Sequence, residues 1–189
     1  MITLRNNKKL LASGDIGVIP TDTIYGLVGS ALNSKTVERI YKLRKRNSKK
    51  PFIILVSSIK DLALFEIELD PKTKNILENI WPGKVSVILP CLSDKLEHLH
   101  RGAKTLAFRI PDKKDLLAFL KKTGPLVAPS VNPEGAEPAK TIIEAKKYFG
   151  KNVDLYIDGG QLNSLPSTLV RIENGGIKVL RKGAVNLEI

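Results

Sequence analysis

The chain has 189 residues, of which 42% are hydrophobic and 26% are charged. These shares are ordinary for globular proteins and exclude a disordered chain, while the length suits a single domain spanning 1–189 with a core of its own. The formal net charge of +12 favours anionic partners such as nucleotides or RNA, although a solvated lysine-rich surface explains it equally well.

The cellular setting is constrained by what the sequence lacks. A single cysteine, Cys91, excludes an intramolecular disulfide, and its place after an apolar run predicts a packing role. The N-terminus lacks the apolar region of a signal peptide, and no apolar run approaches the ~20 residues of a membrane span. We therefore expect a cytoplasmic chain that does not contact a membrane.

Strand-like and helix-like segments alternate from the first strand onward. The segment that follows residues 20–27 is expected to be helix-like. In chain order we predict a strand at 16–20, a helix at 34–46 capped by Ser34, a strand at 52–56, a short helix at 58–65, a helix at 70–80 capped by Asp70, and strands at 85–89 and 105–110. Next come a helix at 112–122, a strand at 126–128, a helix at 141–149, a strand at 155–158 and a hairpin of 167–172 with 177–181.

This alternation predicts an α/β fold, and the terminal hairpin makes its sheet mixed. No repeat or change of composition marks a domain boundary. The expected architecture is therefore one domain with a twisted open sheet flanked by helices.

Polar side chains gather where the first predicted strand ends. Residues 20–27 read Pro-Thr-Asp-Thr-Ile-Tyr-Gly-Leu and bring two hydroxyls, a carboxylate and a phenol into one short loop. Open α/β sheets build ligand sites at strand ends of this kind. Thr and Asp also form ordinary turns, so this loop alone favours a pocket wall only slightly.

A second cluster lies between a predicted helix and a buried strand. Five basic residues occur from Arg44 to Lys50, and we call this segment the cationic loop. Cations near a helix C-terminus complement its dipole, but five exceed that need. Polyphosphate is the natural counter-charge, because arginine binds it through two donors and lysine as a point charge.

Further candidates lie in three other segments. Ser130 and Asn132, two apart in an extended stretch, point to the same side. Ser167 and Arg181 belong to strands that we expect to pair, so they can face one pocket. Arg109 ends a predicted strand and is either a carboxylate clamp or a surface residue that extends its charge to water.

Several common catalytic arrangements are missing. The sequence contains no Walker A motif, no G-x-G-x-x-G loop and no Ser-His-Asp arrangement. Its two histidines, His98 and His100, are predicted to lie in a surface loop, and their surroundings do not suggest a metal site. We therefore assign no acid or base, because a site rich in hydroxyls and cations suits electrostatic stabilisation of phosphate chemistry.

Eight short motifs occur in one order, and their order resembles the YrdC/TsaC family of L-threonylcarbamoyladenylate synthases. The resemblance runs from about residue 10 to 185. The motifs are P-T-x-T-x-Y-G-L at 20–27, a K-x-R-like element at 44–46 followed by Pro51-Phe52, W-P-G at 81–83, R-I-P at 109–111, A-P-S-x-N at 128–132, I-D-G-G at 157–160, S-T-L-V at 167–170 and L-R-x-G at 180–183.

The resemblance implies a YrdC-like fold with a large basic cavity. It implies a reaction in which L-threonine and bicarbonate form a carbamate that attacks the α-phosphate of ATP, releasing pyrophosphate and leaving threonylcarbamoyl-AMP. Mg²⁺ would arrive with ATP, and no protein-held metal is expected. A partner enzyme would pass the threonylcarbamoyl group to an adenosine of tRNA, which could also contact this chain.

The resemblance also implies residue roles. Threonine would be held by Thr23, Arg109, Ser130 and Ser167, with Arg109 on its carboxylate. ATP would be held by Arg44, Arg46, Lys50, Thr105, Asn132, Thr141 and Arg181. This chain has Arg44 where the family has lysine and Leu55 where some members have a threonine-contacting histidine, and it resembles the short form without an extra C-terminal domain.

Two other functions fit parts of this pattern. A non-catalytic RNA-binding module could use the same basic cavity, although only ten aromatic residues are available for base stacking. A relative that uses carbamoyl phosphate is a weaker option, because such proteins usually carry extra domains.

Overall fold

The computed structural model describes residues 14–47 and 49–187. Its strands are β1 (Gly17–Pro20), β2 (Tyr25–Ser30), β3 (Ile53–Leu55), β4 (Val85–Pro90), β5 (Thr105–Arg109), β6 (Leu126–Val127), β7 (Leu155–Tyr156), β8 (Thr168–Glu173) and β9 (Gly176–Arg181). Its α-helices are α1 (Ser34–Arg44), α2 (Pro71–Ile80), α3 (Glu97–His100), α4 (Lys114–Thr123) and α5 (Ile142–Phe149). Short 3₁₀ helices cover Ile59–Phe65, Asp94–Leu96 and Gly150–Asn152.

The strands form one mixed sheet in the order β7-β1-β2-β6-β3-β5-β4-β8-β9. The pairs β1/β7, β3/β5 and β4/β8 are parallel, and the other neighbours are antiparallel. The predicted α/β class, the mixed open sheet and the terminal hairpin are thus confirmed. The extent of the single domain, 1–189, stays a prediction because residues 1–13 lie outside the described range.

A strand that was not predicted, β2, lies between the polar loop and helix α1, so the chain continues from residue 27 to Ser30 as a strand before it becomes helical. It pairs with β1 from Gly17↔Val28 to Pro20↔Tyr25, so the polar loop is the turn of a hairpin. All of β2 except Ser30 is buried, and a strand buried on both faces lacks the alternation that identifies strands in a sequence. Gly29 is needed there, because a Cβ would lie 2.3 Å from the Thr36 side chain.

Helix α1 begins one residue away from the predicted cap. Asn33 is the N-cap and accepts a hydrogen bond from the Thr36 N–H, so the assignment of this role to Ser34 was wrong. The helix ends at Arg44, two residues earlier than predicted, because Lys45 adopts a left-handed conformation with φ 49°. Asp70 caps α2 as predicted.

The histidine segment also differs from expectation. His98 and His100 lie in α3, and His100 is buried rather than on the surface. The His100 ring accepts a hydrogen bond from the Gly102 N–H and contacts the Ser93 carbonyl. A one-turn helix is too short to show periodicity in the sequence.

Two apolar clusters hold the elements on the sheet. One packs α4, through Leu116, Phe119 and Leu120, against residues of β1, β2 and β3. The larger cluster includes side chains of α1, α2 and the central strands, together with the free and buried Cys91. Of the described helices, none is long and apolar enough to cross a membrane.

Candidate functional site

Widely separated segments line one cavity of about 450 Å³, which we call the central cavity. Its wall is made by the β1–β2 turn, the cationic loop with the start of β3, strand β5, the segment after β6, and the paired strands β8 and β9. The lining residues that sequence analysis had assigned to ligands are Thr23, Arg44, Arg46, Lys50, Thr105, Arg109, Ser130, Ser167 and Arg181.

The lining of the central cavity carries charge of one sign. Its cationic residues are Arg44, Arg46, Lys49, Lys50, Arg109 and Arg181. Within the described part of the chain, no aspartate or glutamate lines it. A concave site of this composition concentrates anions, because nearby walls of low dielectric strengthen the field of the charges.

The β1–β2 turn is held by its own hydroxyls. The Thr21 hydroxyl lies 3.1 Å from that of Thr23 and donates to the Ile24 carbonyl at 2.6 Å. The Thr23 N–H donates to Thr21 Oγ1 at 3.1 Å. The turn therefore presents Thr23 in a defined orientation at the cavity wall.

Arg109 lies at the end of β5 and is paired with a buried carboxylate. One guanidinium nitrogen donates to Asp22 Oδ1 at 2.5 Å, and the other terminal nitrogen lies 3.5 Å from Thr23 Oγ1. The second Asp22 oxygen accepts from the Asp112 N–H at 3.1 Å. Burial lowers the pKa of Arg109, while the Asp22 charge acts in the opposite direction. Arg109 Nε has no partner in the described structure and remains available as a donor.

Arg44 is buried at the end of α1 and supports the segment after β6. Its Nε donates to the Asn132 carbonyl at 2.8 Å, and a terminal nitrogen reaches the Ser130 and Asn132 side chains at 3.3 and 3.1 Å. Burial and the nearby Arg46 charge lower the pKa of Arg44 to about 10. Only its other terminal nitrogen is left unpartnered among the described groups, so Arg44 mainly positions two predicted ligand residues.

Arg46 and Lys50 are held at the cavity by neighbouring rings and carbonyls. The Arg46 guanidinium lies 5.4 Å from the Phe52 ring centre, and its Nε donates to the Lys50 carbonyl at 3.1 Å. The Tyr41 hydroxyl donates to the same carbonyl at 3.0 Å. These contacts leave the terminal nitrogens of Arg46 free of that carbonyl and able to meet an anion.

Ser167 and Arg181 meet as predicted. Arg181 donates to the Ser167 carbonyl at 2.9 Å, and the Ser167 hydroxyl lies 2.8 Å from the buried Ser86 hydroxyl. Burial and repulsion from Arg46 lower the pKa of Arg181. An anionic ligand between these two arginines would relieve their repulsion.

Two predicted ATP residues do not line the central cavity. Asn132 is buried behind it and is bonded to Arg44. Thr141 is the N-cap of α5, where its hydroxyl accepts from the Glu144 N–H at 3.2 Å. The binding roles of all eleven residues stay predictions, because shared location alone does not test them.

Sequence reasoning missed three residues that shape the site. These are Asp22, Ser86 and Glu134, which contact Arg109, Ser167 and the cationic loop respectively. Asp22 lies between two threonines after a buried strand, and Glu134 is a carboxylate next to a Ser/Asn segment. The sequence positions of both therefore indicated that they could lie near the site. The position of Ser86 gave no such indication, because a serine inside an apolar strand has many explanations.

No group of three or more His, Cys, Asp or Glu side chains in 14–47 and 49–187 is arranged to hold a metal ion. The prediction that any metal arrives with the nucleotide is not tested by this arrangement.

A family model and several curated proteins are similar to this chain over most of its length. A family model named for Sua5, YciO and YrdC and described as "Telomere recombination" matches residues 9–183. The threonylcarbamoyl-AMP synthase of Bacillus subtilis is 32% identical over 183 residues, which are 95% of this chain and 53% of that protein. A putative threonylcarbamoyl-AMP synthase of Methanocaldococcus jannaschii is 31% identical over 96% of this chain and 86% of its own length.

Solved structures agree with the fold. The Pyrococcus abyssi Sua5 structure in complex with L-threonine aligns with a TM-score of 0.86 and 26% identity, over 95% of this chain and 54% of that one. Escherichia coli YciO aligns with a TM-score of 0.83 over 97% of this chain and 90% of its own, and its 24% identity supports the fold alone. The chain spans about half the length of the Bacillus and Pyrococcus relatives.

Proposed function

This chain belongs to the Sua5/YciO/YrdC family, and on that premise we propose that it is an L-threonylcarbamoyladenylate synthase. The chain acts as a nucleotidyltransferase that joins L-threonine, bicarbonate and ATP into threonylcarbamoyl-AMP and pyrophosphate. The names of the relatives and the threonine complex of Pyrococcus Sua5 support this proposal.

The observation that carries the proposal is that two chemically different sets of side chains line the one central cavity. Arg109, Thr23, Ser130 and Ser167 offer one guanidinium and three hydroxyls, a set that matches the carboxylate and hydroxyl of threonine. Arg46, Lys50 and Arg181 offer separate cations suited to a triphosphate. Both sets line the same volume, so two substrates can meet there.

The chemistry requires positioning more than proton transfer by a side chain. The threonine amine attacks bicarbonate, and loss of one C–O bond as water gives a carbamate. A carbamate oxygen then attacks the α-phosphorus while the bond to pyrophosphate breaks. Negative charge develops on the phosphoryl oxygens and on the leaving pyrophosphate, where Arg46, Lys50 and Arg181 stabilise it. Holding the carbamate in line with the α-phosphate supplies much of the remaining rate gain.

The remaining participants follow from this reaction. Mg²⁺ accompanies ATP as part of the substrate and needs no protein ligand. The product is a reactive mixed anhydride, so a partner transferase would accept it and modify an adenosine of tRNA. Such a step would take place in the cytoplasm, and tRNA could contact the basic surface of this chain.

Pyrophosphate release tests the proposal directly. The purified chain is incubated with ATP, Mg²⁺, bicarbonate and L-threonine, with L-valine replacing threonine in a parallel sample. Pyrophosphate should form with L-threonine and be much lower with its isostere, which lacks the hydroxyl. Binding of tRNA without any threonine-dependent pyrophosphate would contradict the proposal and favour the non-catalytic RNA-binding alternative.

A further inference from the structure

One exposed residue, Glu134, makes three contacts with the cationic loop, two of them through its carboxylate. The Glu134 N–H donates to the Arg44 carbonyl at 2.7 Å. Its side-chain Oε2 accepts from the Asn47 N–H at 2.6 Å, and Oε1 accepts from Lys50 Nζ at 2.8 Å. Glu134 thus joins the loop after β6 to both sides of the loop that carries Arg46.

The two side-chain contacts differ in kind. The contact with Asn47 is to the backbone, so it constrains the path of the loop whatever side chain stands at position 47. The contact with Lys50 is a half-exposed ion pair, with 59% of the lysine and 30% of the glutamate side chain accessible, and exposed pairs of this type contribute little energy. The backbone contact is therefore the one expected to matter for geometry.

We propose that Glu134 is a positioning residue that holds the cationic loop against the central cavity through its hydrogen bond to the Asn47 N–H. This inference rests on the proposed function, because it assigns the loop to the phosphates of ATP. Glu134 itself does not line the cavity.

The negative charge of Glu134 opposes ATP binding, whereas its hydrogen bond to the Asn47 N–H is proposed to favour it. The two effects can therefore be separated by mutation. A carboxylate beside Lys50 weakens the attraction of that lysine for phosphate. Glu134→Gln removes this charge but keeps an amide oxygen able to accept from the Asn47 N–H. Glu134→Ala removes the charge and the acceptor together.

The experiment compares both variants with the wild-type chain and with Glu137→Ala, an exposed glutamate of the same segment that does not line the cavity. Titration calorimetry measures the dissociation constants of ATP and L-threonine. Hydrogen exchange measured by NMR on the unliganded chain follows the Asn47 amide.

Glu134→Ala should weaken ATP binding about threefold to tenfold, the effect of one lost hydrogen bond. Glu134→Gln should bind ATP as tightly as the wild type or more tightly, and L-threonine affinity should be the same in all four proteins. The Asn47 amide should exchange faster in Glu134→Ala alone.

Equal ATP affinity in Glu134→Ala and Glu134→Gln would overturn the inference, as would a parallel loss of threonine affinity. If the wild-type chain itself binds no ATP, the proposed function fails. The Asn47 amide then still reports whether Glu134 holds the loop.

Discussion

The buried carboxylate of Asp22 holds Arg109 in one orientation. It bonds Arg109 with one oxygen and the backbone of Asp112 with the other, and the Asp22 and Arg109 side chains are only 3% and 5% exposed. A guanidinium without this partner would be a buried, uncompensated charge. Asp22 therefore fixes the orientation of the Arg109 guanidinium at the cavity wall, where we propose that it binds threonine.

Removing the Asp22 carboxylate should destabilise the whole chain. For Asp22→Ala we expect the free energy of unfolding in urea to fall by about 3–5 kcal/mol, the cost of leaving a buried charge unpaired. Asp22→Asn, which keeps the hydrogen-bonding oxygen, should lose less. Asp112→Ala, at an exposed neighbour that keeps its N–H, serves as the control. A loss below about 1 kcal/mol in Asp22→Ala would mean that Arg109 finds another partner.

Arg46 can meet phosphate through both terminal nitrogens, because only its Nε donates to the protein backbone. Arg46→Ala should weaken ATP binding by about 1.5–3 kcal/mol, the range for a hydrogen bond to a charged group. Titration calorimetry measures the change, with Lys42→Ala on the exposed side of α1 as the matched loss of a cation. An unchanged affinity would remove Arg46 from the phosphate site.

At the scale of elements, the junction between β9 and the start of β8 depends on a missing side chain. A Cβ at Gly183 would lie 2.3 Å from the Pro166 carbonyl oxygen and 2.6 Å from that of Ser167. Both neighbours are backbone atoms and cannot turn away as a side chain could. The L-R-x-G motif thus allows close packing that brings Arg181 and Ser167 together.

Gly183→Ala should therefore displace Ser167. We expect a loss of about 1–3 kcal/mol in unfolding free energy, typical of forced overpacking, and weaker L-threonine binding by calorimetry. Gly176→Ala is the matched control, because its nearest atom would be a carbonyl 3.7 Å away on the same hairpin. Equal unfolding free energies and threonine affinities in the two variants would show that the backbone at this junction shifts to accommodate a Cβ at little cost.

Asp154 joins three elements and gives stability a dependence on pH. It accepts from the Ile16 N–H at 2.8 Å ahead of β1 and from Arg39 of α1 at 2.7 Å, and it immediately precedes β7. Burial raises the pKa of Asp154, but the Arg39 and Ile16 hydrogen bonds outweigh it, and the pKa is lowered overall. Its stabilising effect is present above the unfolded-state pKa of about 3.9 and is lost as the pH falls through the folded-state value.

Asp154→Asn should therefore reduce stability at neutral pH more than in acid. We expect a difference of about 1 kcal/mol at pH 7, kept small because the pair is partly exposed, and a progressively smaller one as the pH falls through the folded-state pKa. Urea unfolding across this pH range measures it. Glu78→Gln, in an exposed pair with an N–O distance of 3.9 Å, is the control and should change little at any pH. A constant difference for Asp154→Asn would contradict the linkage.

At the scale of the whole molecule, the sequence predicted those strands and helices whose positions follow from local residue patterns. Most strands and helices were found within a few residues, because burial and capping leave periodic signals. Strand β2 was missed because both of its faces are buried. The Asp22–Arg109 pair joins residues 87 positions apart, and only the three-dimensional packing reveals such a contact. Motif order predicted nine of the residues that line the cavity, but not which carboxylates contact them.

The whole chain carries an excess of positive charge, and several of its cations line the central cavity. The net charge is +12, and six of the cations line one cavity without a lining carboxylate among the described residues. ATP carries several negative charges, whereas L-threonine at neutral pH has none overall. Salt should therefore affect the two ligands differently, because it screens net charge.

Raising salt from about 0.1 to 1 M shortens the screening length from about 10 to 3 Å, and we expect ATP affinity to fall about tenfold. Threonine affinity should change less than about twofold, because threonine has no net charge and its proposed contact with Arg109 is short-ranged. Calorimetry at several salt concentrations measures how the affinity for each ligand depends on salt. Arg46→Ala should make the salt dependence of ATP affinity shallower. Lys121→Ala, an exposed cation on α4 outside the cavity, should leave it unchanged. Equal slopes for the two ligands would show that the cavity cations do not act on the triphosphate.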